Sequence, residues 1–212
     1  MIRNNTKLPN AGLARTNSRR NSGGFTIIEL MIATTVFSVI LLLCATALVQ
    51  IGRVYYKGVL SGKTQNTTRS IMDEIASNIK YSGGEIPTLG PNVLCVGNLR
   101  YSFWIDQQLN DTNHALIADR PAVCKTDTPF PPADTCDPTL SCRELLSPRM
   151  RLSKFNIIPP PAGSTLYGID IGVVSGENDL LDPTHKRCNV ALNAGGQFCA
   201  VSELTTYVQK RL

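Results

Sequence analysis

Glu29 has no charged neighbour on its C-terminal side for more than twenty residues. In GGFTIIELMIA, residues 23–33, it is the only ionisable side chain, and the next charge along the chain is Arg53. A carboxylate in an oily segment costs about 2.5–3.5 kcal/mol at the bilayer centre on insertion scales, and it calls for a partner. A cut between Gly24 and Phe25 would supply one. Phe25 would become the first residue and carry a new ammonium, with Glu29 fifth. A neighbouring copy, shifted along the axis, would then offer its ammonium to that carboxylate, and pairing relieves a charge that is costly alone. Two other cuts compete. Ala45-Thr46-Ala47 resembles a secretory cleavage site, but cutting there leaves Glu29 without a purpose. Leu41-Leu42-Leu43-Cys44 suggests lipid attachment, but Leu43 is not the small residue that reaction needs.

Cysteine chemistry is the second possibility. Of seven cysteines, Cys44 lies in the apolar stretch, and Cys95, Cys124, Cys136, Cys142, Cys188 and Cys199 follow it. An even set beyond a membrane segment points to disulfides in an oxidising compartment. A zinc site is disfavoured, because no C-x-x-C occurs and the only histidines are His114 and His185. The expected pairs are Cys188 with Cys199, Cys136 with Cys142, and Cys95 with Cys124.

The remaining polar groups give weaker signals. His114 and His185 belong to no catalytic constellation and read as solvated loop residues. Glu177, Asn178, Asp179 and Asp182, in GENDLLD, have the oxygens for calcium but not the spacing of an EF-hand, so a turn is the better reading. Arg143, Arg149, Arg151 and Lys154 form a basic set, with Lys210 and Arg211 a second. Nucleic-acid grooves pair such charge with exposed aromatics. Only Phe155 is adjacent and it suits a core, so a solvated strand edge is expected. No cofactor and no metal is expected, and the chain does not read as an enzyme.

The elements that position these residues follow from the pattern of the chain. Residues 30–52 carry no charge; twenty of them rise about 30 Å as a helix, enough to cross the hydrocarbon core. Its Thr and Ser side chains can bond their own backbone. The formal charge is +5, but Arg3, Lys7, Arg15, Arg19 and Arg20 all precede Phe25 with no acid among them, and beyond Gly24 the charges balance. That asymmetry keeps the N-terminus in the cytoplasm. Beyond the span, Ile71, Ile75 and Ile79 recur four apart, with Met72 and Ala76 alongside, an amphipathic stripe. Ser82-Gly83-Gly84 and Pro87 stop the helix. Gly58 and Gly62 each cost about 1 kcal/mol in a helix interior; one helix from Phe25 to Tyr81 is preferred over two broken near residue 60. From residue 83 the texture is that of strands and turns. Tyr167, Ile169, Ile171 and Val173 alternate as in a half-buried strand. Leu99–Ile105, Arg149–Ile158 and Cys199–Gln209 are further candidates, giving four antiparallel strands to receive the isoleucine stripe. The proline-rich stretch between Cys124 and Cys142 reads as a surface insertion.

Gly24-Phe25-Thr26-Ile27-Ile28-Glu29-Leu30, after a basic leader and before a long apolar helix, resembles the N-terminus of type IV prepilins and type II secretion pseudopilins. The resemblance implies cleavage between Gly24 and Phe25 and N-methylation of Phe25 by a prepilin peptidase, with Glu29 guiding assembly. It implies a pilin-like α+β fold, a long N-terminal helix packed on a C-terminal antiparallel β-sheet head with disulfides. Residues 1–24 would be a cleaved leader, 25–82 the helix, membrane-spanning over about 30–52, and 83–212 an extracytoplasmic head. The stretch Gln65–Gly84, with Gly196-Gln197-Phe198-Cys199 before a final strand, looks like PilW-type minor pilins and the J-type pseudopilin. The implied partners are the peptidase, other major and minor pilins, the inner membrane and its assembly platform. The function expected is that of a minor pilin that initiates or caps a type IV pilus. Alternatives are a minor pseudopilin of type II secretion, a DNA-uptake minor pilin, and a membrane-tethered extracytoplasmic enzyme.

Overall fold

In a computed structural model, residues 24–82, 92–97, 99–120, 136, 139, 141–189 and 196–211 are described. Helix α1 spans Ile27–Tyr81 and passes through Gly58 and Gly62 without a break. No residue from Gly24 to Ile51 is buried. In this half Thr34, Thr35, Ser38 and Thr46 return their hydroxyls to backbone carbonyls three or four residues earlier, at 2.7–3.0 Å, so their polarity is spent within the helix. The helix is long and apolar enough there to cross a membrane. By compactness the chain divides between Ala47 and Leu48.

Beyond that division the helix acquires a buried side. Thr64, Thr68, Ile71, Met72, Ile75 and Ile79 are buried, at the three- and four-residue steps that keep one face inward. The two threonines extend the isoleucine stripe by two turns, and their hydroxyls cap the carbonyls of Leu60 and Thr64. At the C-terminal end the Ser82 N–H bonds Asn78 O and the Ser82 hydroxyl bonds Ile79 O, both at 2.9 Å. The Arg211 N–H, from the chain's last described residue, bonds Lys80 O at 3.1 Å. Carbonyls that a helix end would leave orphaned are thereby satisfied.

Among the described residues the head holds seven strands, where the sequence suggested four. Strands β1 (Val93–Val96), β2 (Leu99–Phe103), β3 (Leu116–Asp119) and β4 (Arg143–Glu144) form one antiparallel sheet in sequential order. Strands β5 (Met150–Ile158), β6 (Leu166–Ser175) and β7 (Ala200–Gln209) form a second. Residues 105–109 join them. Ile105 pairs in parallel with Leu152, the Asp106 N–H bonds Leu152 O, and the Leu109 N–H bonds Met150 O. The chain leaving β2 thus becomes an extra edge on β5. The inner faces of both sheets and the isoleucine stripe share one core, in which Phe103 and Phe155 lie with ring centroids 4.4 Å apart.

One expectation needs correction. The strand around Tyr167 is not half-buried: Gly168, Ile169 and every residue from Ile171 to Ser175 are buried. Val174 belongs to a second small core with Leu181 and Cys199, so the far half of β6 is covered on both sides. The first sheet is also buried on its outer face, at Val93, Cys95, Arg100, Ser102, Ile117 and Asp119.

Candidate functional site

The processing and assembly residues sit at the start of α1. Gly24, Phe25 and Thr26 precede the helix, and Phe25 is 84% exposed. The Gly24–Phe25 peptide is therefore outside the hydrogen-bonded helix. Thr26 caps it. The Glu29 carboxylate accepts from the Thr26 N–H at 2.9 Å and the Thr26 hydroxyl at 2.8 Å, while the Glu29 N–H bonds the Thr26 hydroxyl oxygen at 3.3 Å. This is a capping box, each residue satisfying the other's exposed backbone donor. An acid there also lies favourably against the positive end of the helix dipole. Glu29 is therefore not without a partner in the single chain, contrary to the sequence reading. The Thr-x-x-Glu spacing before an apolar run was the signal that should have revealed it.

That N-terminus has a counterpart among known proteins. Residues 19–45 match the family model of the prokaryotic N-terminal methylation motif. The motif contains Gly24, Phe25 and Glu29 and ends inside the apolar half of α1. It supports a prepilin-type N-terminus, in a pilin-like or pseudopilin protein anchored by an apolar helix. No curated protein and no solved structure matched the chain.

Away from the methylation motif, the cysteines pair as expected where they are described. Cys136 bonds Cys142, with Cα atoms 5.3 Å apart, and Cys188 bonds Cys199, at 5.8 Å. Cys95 is disulfide-bonded; its expected partner, Cys124, lies outside the described residues, as does most of the proline-rich insertion. Cys44 is free and exposed.

Both histidines lie in loops, as expected, but each faces an acid and is only partly solvated. The Nδ1 of His114 lies 3.1 Å from the Glu144 carboxylate, and that of His185 lies 2.9 Å from Asp106. Both rings are about two-thirds covered. Burial pushes the Glu144 carboxyl above its ordinary value, against the opposing pull of the Leu116 N–H and His114. In GENDLLD a turn is what forms, with a short 3-10 helix at Asn178–Leu180. Asp182 spends its oxygens on the Thr184 hydroxyl and the Lys186 and Arg187 N–H groups, and the Thr184 bond leads in holding it below the usual carboxylate range. Among the described residues, no three His, Cys, Asp or Glu side chains gather as a metal site.

Arg143, Arg149 and Lys154 are exposed, as a solvated edge requires, but Arg151 is buried and all four face acids. Arg143 pairs with Glu74 at 2.5 Å, Arg149 with Glu177 at 3.3 Å, Arg151 with Asp106 at 3.3 Å, and Lys154 with Asp170. Arg151 is 2% exposed. A phosphate backbone would have to compete with an acid at each of the four, so they make no open anion-binding stripe. Two further pairings join residues too far apart in the chain to leave a local signal. Arg100 and Asp119, both buried, form a two-pronged pair across β2 and β3. Tyr101 accepts from the Asn78 amide at 2.6 Å and donates to Glu74 at 3.2 Å. Burial, then Glu74, raises its pKa strongly, so it stays a donor at any physiological pH.

Proposed function

We propose that this protein is a minor pilin, a structural subunit that initiates or caps a type IV pilus. Residues 1–24 are the leader held in the cytoplasm. A prepilin peptidase cuts between Gly24 and Phe25 and methylates the new terminus. The helix anchors the chain in the inner membrane until the assembly platform transfers it, with other pilins, into the filament, and residues 83–212 face outward. The observation that carries this reading is the match to the methylation motif at an N-terminus whose Gly24–Phe25 peptide precedes the helix cap.

The capping box adds a step to the mechanism. Thr26 holds the Glu29 carboxylate while the subunit waits as a monomer. The carboxylate keeps its charge there, so an ammonium from an adjoining subunit still stabilises it. Assembly exchanges neutral donors for a cationic one, and charge-assisted hydrogen bonds are roughly twice as strong as neutral ones.

Intact-mass and N-terminal analysis of the protein from its native membrane tests the proposal. The expected product begins at Phe25 and carries one methyl group. A fully active protein that retains its first 24 residues would overturn it. Glu29→Ala is expected to remain in the membrane fraction and to lose filament assembly, counted as sheared pili. Wild-type pilus numbers in that variant would remove Glu29 from the mechanism.

A further inference from the structure

Where residues 105–110 run beside β5 and the loop after β6 folds over them, there is an open pocket of about 470 Å³. Five of its nine lining residues are carboxamides: Gln107, Gln108, Asn110, Asn113 and Asn178. Its charges cancel among themselves. Arg151 donates to Asp106 at 3.3 Å and to the Asn178 side-chain oxygen at 2.5 Å. The second Asp106 oxygen meets His185 at 2.9 Å. Arg151, which also lines the pocket, is almost wholly buried, and its Nε has no hydrogen-bond partner among the described residues. Such a group is rare enough in native structures to need an explanation. The Gln107 and Asn113 side chains likewise make no hydrogen bond among the described residues and stand ready for a ligand.

A carboxamide presents donors and an acceptor side by side. Asn178, Asn110 and Gln108 spend some of these groups within the fold, so the open amides of Gln107 and Asn113, aided by what the other three keep free, fit a ligand whose groups both donate and accept, and without net charge. Phosphate or carboxylate fits poorly, because the one arginine is already shared between Asp106 and Asn178. An apolar ligand fits poorly too, since Ile105 alone supplies an apolar side chain. The volume suits a small molecule. We infer that the pocket binds a neutral saccharide, its hydroxyls taken by the carboxamides over a floor formed by Arg151, Asp106 and His185. The disulfide from Cys188 to Cys199 pins the loop that carries His185.

The full-length protein, in a detergent without a sugar headgroup, is titrated with glucose, galactose, mannose and N-acetylglucosamine and followed by saturation-transfer NMR. At least one sugar is expected to bind with a dissociation constant on the order of 1 mM. Gln107→Ala and Asn113→Ala, which break no hydrogen bond within the described fold, are expected together to weaken it about tenfold. Lys186→Ala, on the same loop as His185 but outside the pocket, is expected to leave it unchanged. Transfer to none of the four sugars overturns the inference. So does transfer that survives both pocket substitutions, or competition by inorganic phosphate, which would make this an anion site. Unchanged thermal transitions in the variants show that any loss is not unfolding.

Discussion

Glu29 and Glu144 are two acids held in opposite ways. Glu29 sits in a capping box that its own sequence announces, since Thr26 precedes it by three residues. Glu144 is partly buried against β3 and His114, a placement that needs partners 28 and 30 residues away and so leaves no local trace. Its folded-state pKa is raised, so the fold favours the protonated carboxyl. Its contribution to stability is complete below about pH 4.5 and is lost as pH rises through the folded value. Glu144→Gln keeps an acceptor for the Leu116 N–H and never ionises. It is expected to be more stable than wild type at pH 7, with the advantage gone below pH 4. Fluorescence of Trp104, the chain's one tryptophan, during urea unfolding measures both.

At the scale of elements, the helix was the most legible part. Its isoleucine stripe is written at a period that only one structure satisfies. Ile75→Ala, at a fully buried position, is expected to cost about 2–5 kcal/mol by the same fluorescence. Gln65→Ala on the exposed side should stay within about 0.5 kcal/mol. Strands β1, β3 and β4 went unread because each has four residues or fewer, too short to display an alternation. Strand β5 hid a different signal. Met150 and Leu152 face the core, but so do Phe155 and Ile157, a change from even to odd numbers. A bulge between Leu152 and Lys154 makes the switch, leaving Ser153 without a partner residue on β6. Gly172 makes room for it, since a Cβ there would collide with the Ser153 hydroxyl oxygen and press on Lys154 Cβ at 3.2 Å. Gly172→Ala is expected to cost about 1–3 kcal/mol, with a smaller cost when combined with Ser153→Gly; a double-mutant cycle reads the difference.

For the molecule as a whole, the class of fold followed from two textures, an oily helix and a disulfide-rich strand region. Among the basic residues Arg151 alone departs from the expected solvated edge, because the fold buries it beside Asp106; Arg149 faces Glu177 but stays exposed. The bond from Cys188 to Cys199 spans 11 residues. Loop-closure entropy puts its removal by paired serine substitution at about 3 kcal/mol, measurable as a lower urea midpoint under oxidising conditions.

The edge that residues 105–109 lend to β5 gives the head a shared fate. With Asp106 and Leu109 bonded to Leu152 and Met150, neither sheet can peel away without stripping hydrogen bonds from the other. Amide deuterium uptake should therefore reach Tyr101 and Ile171 at closely similar protection, as one cooperative opening. Slow uptake in one sheet beside fast uptake in the other would mean that this splice does not hold them together.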